Sequence, residues 1–218
     1  MNTDNLIARL GREVTLVRPL PAPGVRTASW AAWAGLYLGL MAVMKIVTMS
    51  PDGVVLTPLY GLQQAAALAM GITAARAALR SVVPGEGARH WRLPGVAAGC
   101  WLALVLLSVT RDVQVFGSLD VTSETDWPCV VSMIFGATVL GIPLLRMLRR
   151  GAPLTPRVTA FLAGLAALSI ANIEACFTRP HAFAVTVLLW HGGTVVVAAA
   201  VFAGMGRQWL RWPALRRA

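Results

Sequence analysis

Three side chains in the second half of the sequence have types and spacing that could do chemistry. Cys129 directly follows Trp127-Pro128, Cys176 closes an apolar run, and His181 stands five residues beyond it. Two thiols and an imidazole are a ligand set for zinc or for a softer ion such as cadmium, with Glu174 available as a fourth donor. In an oxidising compartment the same thiols can join as a disulfide. Two unrelated buried cysteines are the opposing reading, and pattern alone leaves both open. Cys100 lies within an apolar run and reads as a small packed hydrophobe. Three cysteines are too few, and odd in number, for a disulfide framework. No resident cofactor is required by this inventory. A transient heavy-metal or zinc ion at the pair Cys129 and Cys176 with His181 is the most it suggests.

A second group could bind a partner. Leu6, Ile7, Leu10, Val14 and Val17 recur at helical spacing near the N-terminus, with Asp4, Arg9, Arg12 and Glu13 on the other sides. This pattern predicts a short amphipathic helix ending before Pro19, since the residue ahead of proline disfavours helix. Such a helix can lie on a membrane leaflet or dock into a groove of a cytosolic protein, and the pattern fits either. Pro19, Pro21 and Pro23 follow as a stiff spacer.

The elements that must position these residues follow from composition. The chain has 218 residues, 57% hydrophobic and only 13% charged, about half the charged share of a soluble domain. Its mean hydropathy is +0.67. Apolar runs near 20 residues suit membrane-spanning helices. Six are expected, at about 28–49, 54–79, 93–110, 128–148, 156–176 and 182–206, making an all-α bundle with a short amphipathic N-terminal helix. The domain division is a cytoplasmic arm over 1–27, a transmembrane unit over 28–206 and a basic tail over 207–218. No strand alternation appears, which excludes an outer-membrane barrel. The polar N-terminus lacks the apolar core and cleavage site of a signal peptide.

Charge sets orientation. The arm, the second and fourth connections and the tail each carry four arginines, together 16 of the 19 basic residues, while six of the nine acids fall on the opposite side. By the positive-inside rule both termini lie in the cytoplasm. This distribution, rather than the net charge of +10, argues against nucleic acid as a direct partner. Trp30, Trp33, Trp91, Trp209 and Trp212 are expected at the inner interface and Trp127 at the outer one. The pairs Gly35 with Gly39 and Gly95 with Gly99 have the spacing of close helix contacts. His191, Asn172 and the pair Gln63–Gln64 lie inside apolar runs, where amides can bond across helices and the imidazole can be buried neutral. No row of acids marks a transport path, and no P-loop, HExxH or GxSxG marks an enzyme. A transporter or a structural membrane subunit remains the rival class.

Several segments resemble one family. Thr3-Asp4-Asn5-Leu6-Ile7-Ala8-Arg9-Leu10 and Val17-Arg18-Pro19-Leu20 match its opening. Trp127-Pro128-Cys129 and Leu148-Arg149-Arg150-Gly151-Ala152-Pro153-Leu154-Thr155-Pro156 match its centre. Cys176, Phe183, Trp190, Gly206-Arg207 and Leu210-Arg211-Trp212 match its end. The chain is similar over nearly its full length to the NrsF family of bacterial membrane anti-sigma factors. That resemblance implies a six-span inner-membrane protein that sequesters an extracytoplasmic-function sigma factor and releases it on stress. It implies the N-terminal arm as the partner-binding element. It also implies Cys129 and Cys176 as thiols sensing heavy-metal or oxidative stress. The chain departs from the family's pattern around the second cysteine, where it has Ala175 before and Phe177-Thr178-Arg179-Pro180 after.

Overall fold

The computed structural model describes residues 3–13, 19–48, 57–83, 85, 91–117, 127–151, 153–178 and 184–210, and every regular element among them is helical. In chain order these are α1 (Thr3–Glu13), α2 (Pro23–Thr48), α3 (Pro58–Arg80), α4 (Arg92–Phe116), α5 (Trp127–Arg149), α6 (Pro156–Thr178) and α7 (Ala184–Trp209). α1 covers the first part of the arm, and Val14 and Val17 lie outside the described residues. So do His181 and Trp212.

Prolines start three of the helices. Pro23, Pro58 and Pro156 each occupy the first helical position, where a missing N–H costs nothing and the fixed φ already suits the helix. Thr57 adds a cap, its Oγ1 accepting from the Tyr60 N–H at 3.2 Å. α4 ends at Gly117, whose φ of +72° is the left-handed conformation glycine adopts without penalty; its N–H bonds the Val113 carbonyl.

Five helices are long and apolar enough to cross a membrane: α2, α4, α5, α6 and α7. α3, the second of the six crossings expected from sequence, is not one of them. Its 23 residues reach about 34 Å, so length is sufficient. Tyr60, Gln63, Gln64 and a run of weakly apolar alanines lower its hydropathy. The amide of Gln63 is used inside the bundle, donating to the Leu104 carbonyl at 3.1 Å and to Ser108 Oγ at 2.7 Å on α4.

α6 is the hub. In its most apolar stretch 83% of residues are buried, against 11–39% for the other four apolar helices. It packs on α7, α3 and α5, and more lightly on α2. Ala163, Ala166, Ala167 and Ala171 keep its surface low enough for neighbours on all sides. Large apolar side chains on the other helices point outward, Ile46, Val47 and Val196 among them, each more than 60% exposed. An apolar exterior of this extent marks a surface that meets lipid or another apolar partner.

The tight crossings use different glycines from those expected. A Cβ built at Gly35, Gly39, Gly95 or Gly99 meets nothing within 4 Å, so neither GxxxG pair mediates a contact within the described chain. The close approaches are at Gly71 against Ile170, Gly136 against Tyr37 and Ala171, Gly164 against Phe202, and Gly206 against the Pro156 carbonyl. Cys100 is also not packed as expected; it is exposed on α4.

Candidate functional site

Two polar clusters lie on opposite sides of α6 near its C-terminal end. Asn172 and Cys176 are four residues apart and so share one helix face. Opposite them stands His191, carried on α7 where Val187–Gly192 widens into a π-helical turn. Such turns insert a residue into the helix and are frequent at functional sites. His191 Nδ1 lies 3.0 Å from Asn172 Oδ1 and 3.6 Å from Cys176 Sγ. Oδ1 can only accept, so Nδ1 carries the proton that joins them, and the sulfur lies within longer contact of the same nitrogen. His191 and Asn172 are each 1% exposed and Cys176 7%.

The second cluster centres on Glu174. It is two residues from Cys176, about 200° around the helix, and its carboxylate faces away from the thiol. Ser132 of α5 donates to it, with Oγ 2.9 and 2.7 Å from the two carboxylate oxygens, and the Tyr37 hydroxyl of α2 donates at 3.5 Å. Glu174 is therefore engaged by Ser132 and Tyr37 and turned away from Cys176.

The Ser132–Glu174 bond also sets the register of α5 against α6. From that level Cys129 is three residues toward the common end and Cys176 two, or roughly 4.5 and 3 Å along antiparallel axes. The two thiols thus lie toward the same end of the bundle. Cys129 is 2% exposed. Next to it, the rings of Trp127 and Trp190 meet with centroids 6.0 Å apart, joining the start of α5 to the turn that carries His191. All three cysteines are thiols. Among the described residues no three His, Cys, Asp or Glu side chains gather as a metal site. His181, one of the three expected donors, falls outside those residues.

A seam runs from this end to the start of α2. Trp30 Nε1 donates to the Leu140 carbonyl at 3.0 Å and Trp33 Nε1 to the Val139 carbonyl at 3.4 Å. Arg26 donates to the Met147 carbonyl. These acceptors are supplied by the backbone of α5. Pro143 has no N–H, which releases the Val139 carbonyl four residues earlier, and Met147 lies in the last turn, where carbonyls lack intrahelical partners. Trp30 is fully buried and anchors α2 to α5. Sequence reasoning missed Ser132, Tyr37, Trp30 and Arg26, because each acts through a partner more than 40 residues away. Arg26 and Thr27 carried a usable signal, being buried polar residues at the start of an apolar run.

The sequence model of one protein family, described as negative regulator of sigma F (NrsF), matches residues 10–212. No curated relative and no solved structure matches the chain.

Proposed function

Because the chain belongs to the NrsF family of negative regulators of sigma F, we propose that it is an inner-membrane anti-sigma factor for an extracytoplasmic-function sigma factor. In this reading α3 is a sixth crossing, sheltered beside α6, and an even number of crossings puts both termini on one side. The basic clusters put that side in the cytoplasm. The arm, in whose sequence Leu6, Ile7, Leu10, Val14 and Val17 recur at helical spacing, docks in a groove of the sigma factor.

The signal enters at the opposite end. Oxidation joins Sγ of Cys129 to Sγ of Cys176, releasing two protons and two electrons to an oxidant such as a peroxide. A soft metal ion would bridge the same sulfurs. Either bond fixes α5 against α6 at the level of Cys129. The observation that carries the proposal beyond the family is the α2–α5 seam. The helix bearing a sensor thiol at one end holds, at its other end, the helix that continues into the arm. A change in the tilt of α5 therefore moves the acceptors of Trp33, Trp30 and Arg26, and with them the base of the arm. A coupling of about 1–3 kcal/mol would lower sigma affinity roughly 5- to 150-fold.

The test is membrane retention of candidate sigma factors co-expressed with the full chain or with a chain lacking residues 1–20. One sigma factor should be retained by the intact arm only, and released by peroxide or cadmium from the wild type but not from Cys129→Ser with Cys176→Ser. Retention of no sigma factor under any redox condition would refute the anti-sigma reading. Release that persists in the double serine variant would refute the sensor.

A further inference from the structure

A groove of about 870 Å³ opens on the outer surface between α4, α6 and α7. Pro94 and Trp101 of α4, Phe161 and Leu165 of α6, and Leu188 and Val195 of α7 form its walls. No charged, amide or hydroxyl side chain lines it. Gly95 and Gly193 leave its floor low, and a Cβ on either would meet nothing within 4 Å. Trp91 stands at one rim, 56% exposed. At that same end Arg92 and Arg157, both exposed, adjoin the lining residues Trp91 and Val158.

From this arrangement we propose that the groove binds one acyl chain of an anionic phospholipid, its phosphate held by Arg92 and Arg157. The proposal rests on the reading that these helices span a bilayer, and not on the sigma factor. A hydrocarbon chain needs no hydrogen bond, and the lining of the groove is almost wholly apolar. An indole at the rim is where interfacial tryptophans sit. Basic residues beside an apolar cleft between membrane helices form a headgroup site for anionic lipids. A second copy of the chain suits the position less well, because in parallel orientation it brings its own arginines to the same level, like charge against like.

The groove also touches the sensor end. Gly192 and Leu188, which line it, belong to the turn that carries His191. A bound chain therefore braces the backbone that aims His191 at Cys176, and leaflet composition becomes an input to the thiol site.

The test uses the full chain purified from bilayers of equal phosphatidylglycerol and phosphatidylcholine, with retained lipid read by native mass spectrometry. The wild type should keep phosphatidylglycerol in preference. Arg92→Gln with Arg157→Gln should lower that preference by roughly fivefold per arginine while still holding lipid. Gly95→Leu, whose side chain enters open space, should lose both lipids with an unchanged unfolding transition. Equal retention of the two lipids by the wild type overturns the proposal, as does retention unaffected by Gly95→Leu. A dimer that separates on Gly95→Leu gives the groove to a second copy and overturns it too. Sigma retention, measured in parallel, tells these failures apart from failure of the anti-sigma reading.

Discussion

The junction of α2, α5 and α6 meets at one atom's width, and Gly136→Ala tests it. The added Cβ would stand 2.5 Å from the Tyr37 hydroxyl oxygen, 3.0 Å from Ala171 Cβ and 3.2 Å from Tyr37 Cζ. It is confined by α2 on one side and by α6 on the other, so no single rotamer change clears it. Overpacking of this kind costs about 1–3 kcal/mol. Alanine returns about 1 kcal/mol of helix propensity, leaving a net loss of up to about 2 kcal/mol. Tyr37→Phe removes the oxygen that the methyl strikes. The double variant should therefore be more stable than the sum of the singles, with a coupling of about 1 kcal/mol. Gly39→Ala, where nothing lies within 4 Å, is the control and should stabilise by up to about 1 kcal/mol, the propensity gain without the clash. Equilibrium unfolding in mixed detergent micelles, followed by tryptophan fluorescence, measures all four. Gly136→Ala as stable as Gly39→Ala, or strict additivity with Tyr37→Phe, would refute the packing argument. Since Tyr37 belongs to the arm-bearing helix, sigma retention should fall in Gly136→Ala and recover in the double variant.

Trp30→Phe removes a fully buried indole ring and its bond to the Leu140 carbonyl, and should cost about 2–4 kcal/mol in the same assay. Trp33→Phe, half exposed and with a 3.4 Å bond, should cost less than about 1 kcal/mol. His191→Phe takes the imidazole partner from the buried Asn172 amide and should cost about 1–3 kcal/mol in the same assay; an unchanged transition would show that the bond contributes nothing to the bundle.

The apolar runs made the helices legible with ends displaced by only a few residues, because a segment that buries or solvates apolar side chains on all sides writes that fact into its composition. The hub was not legible. α6 is no more apolar than α4 or α5, and only the packing of α3, α5 and α7 around it distinguishes it. The GxxxG pairs misled for a related reason: a small residue permits close approach but does not say which helix arrives. That Cys129 and Cys176 lie toward one end of the bundle follows from α5 and α6 running antiparallel. Their polar neighbours split by helix geometry, Asn172 sharing a face with Cys176 and Glu174 facing away, a division that spacing of four and two already contained. That His191 completes the first cluster depended on the π-helical turn, which shifts the register of α7 and has no sequence signature.

The central position of α6 bears on how the chain is made. Thr159, Ser169, Asn172 and Glu174 are buried within it, and each would face hydrocarbon if α6 entered the bilayer before its neighbours had closed around it. α3 and α5 precede it in synthesis, so the partners of Glu174 and Thr159 are already waiting. The partner of Asn172 is not, because α7 is translated last. Until His191 emerges, the Asn172 amide and the Cys176 thiol lie open along one side of a half-built bundle. The face of α6 that carries Asn172 and Cys176 is thus the last part of the bundle to close.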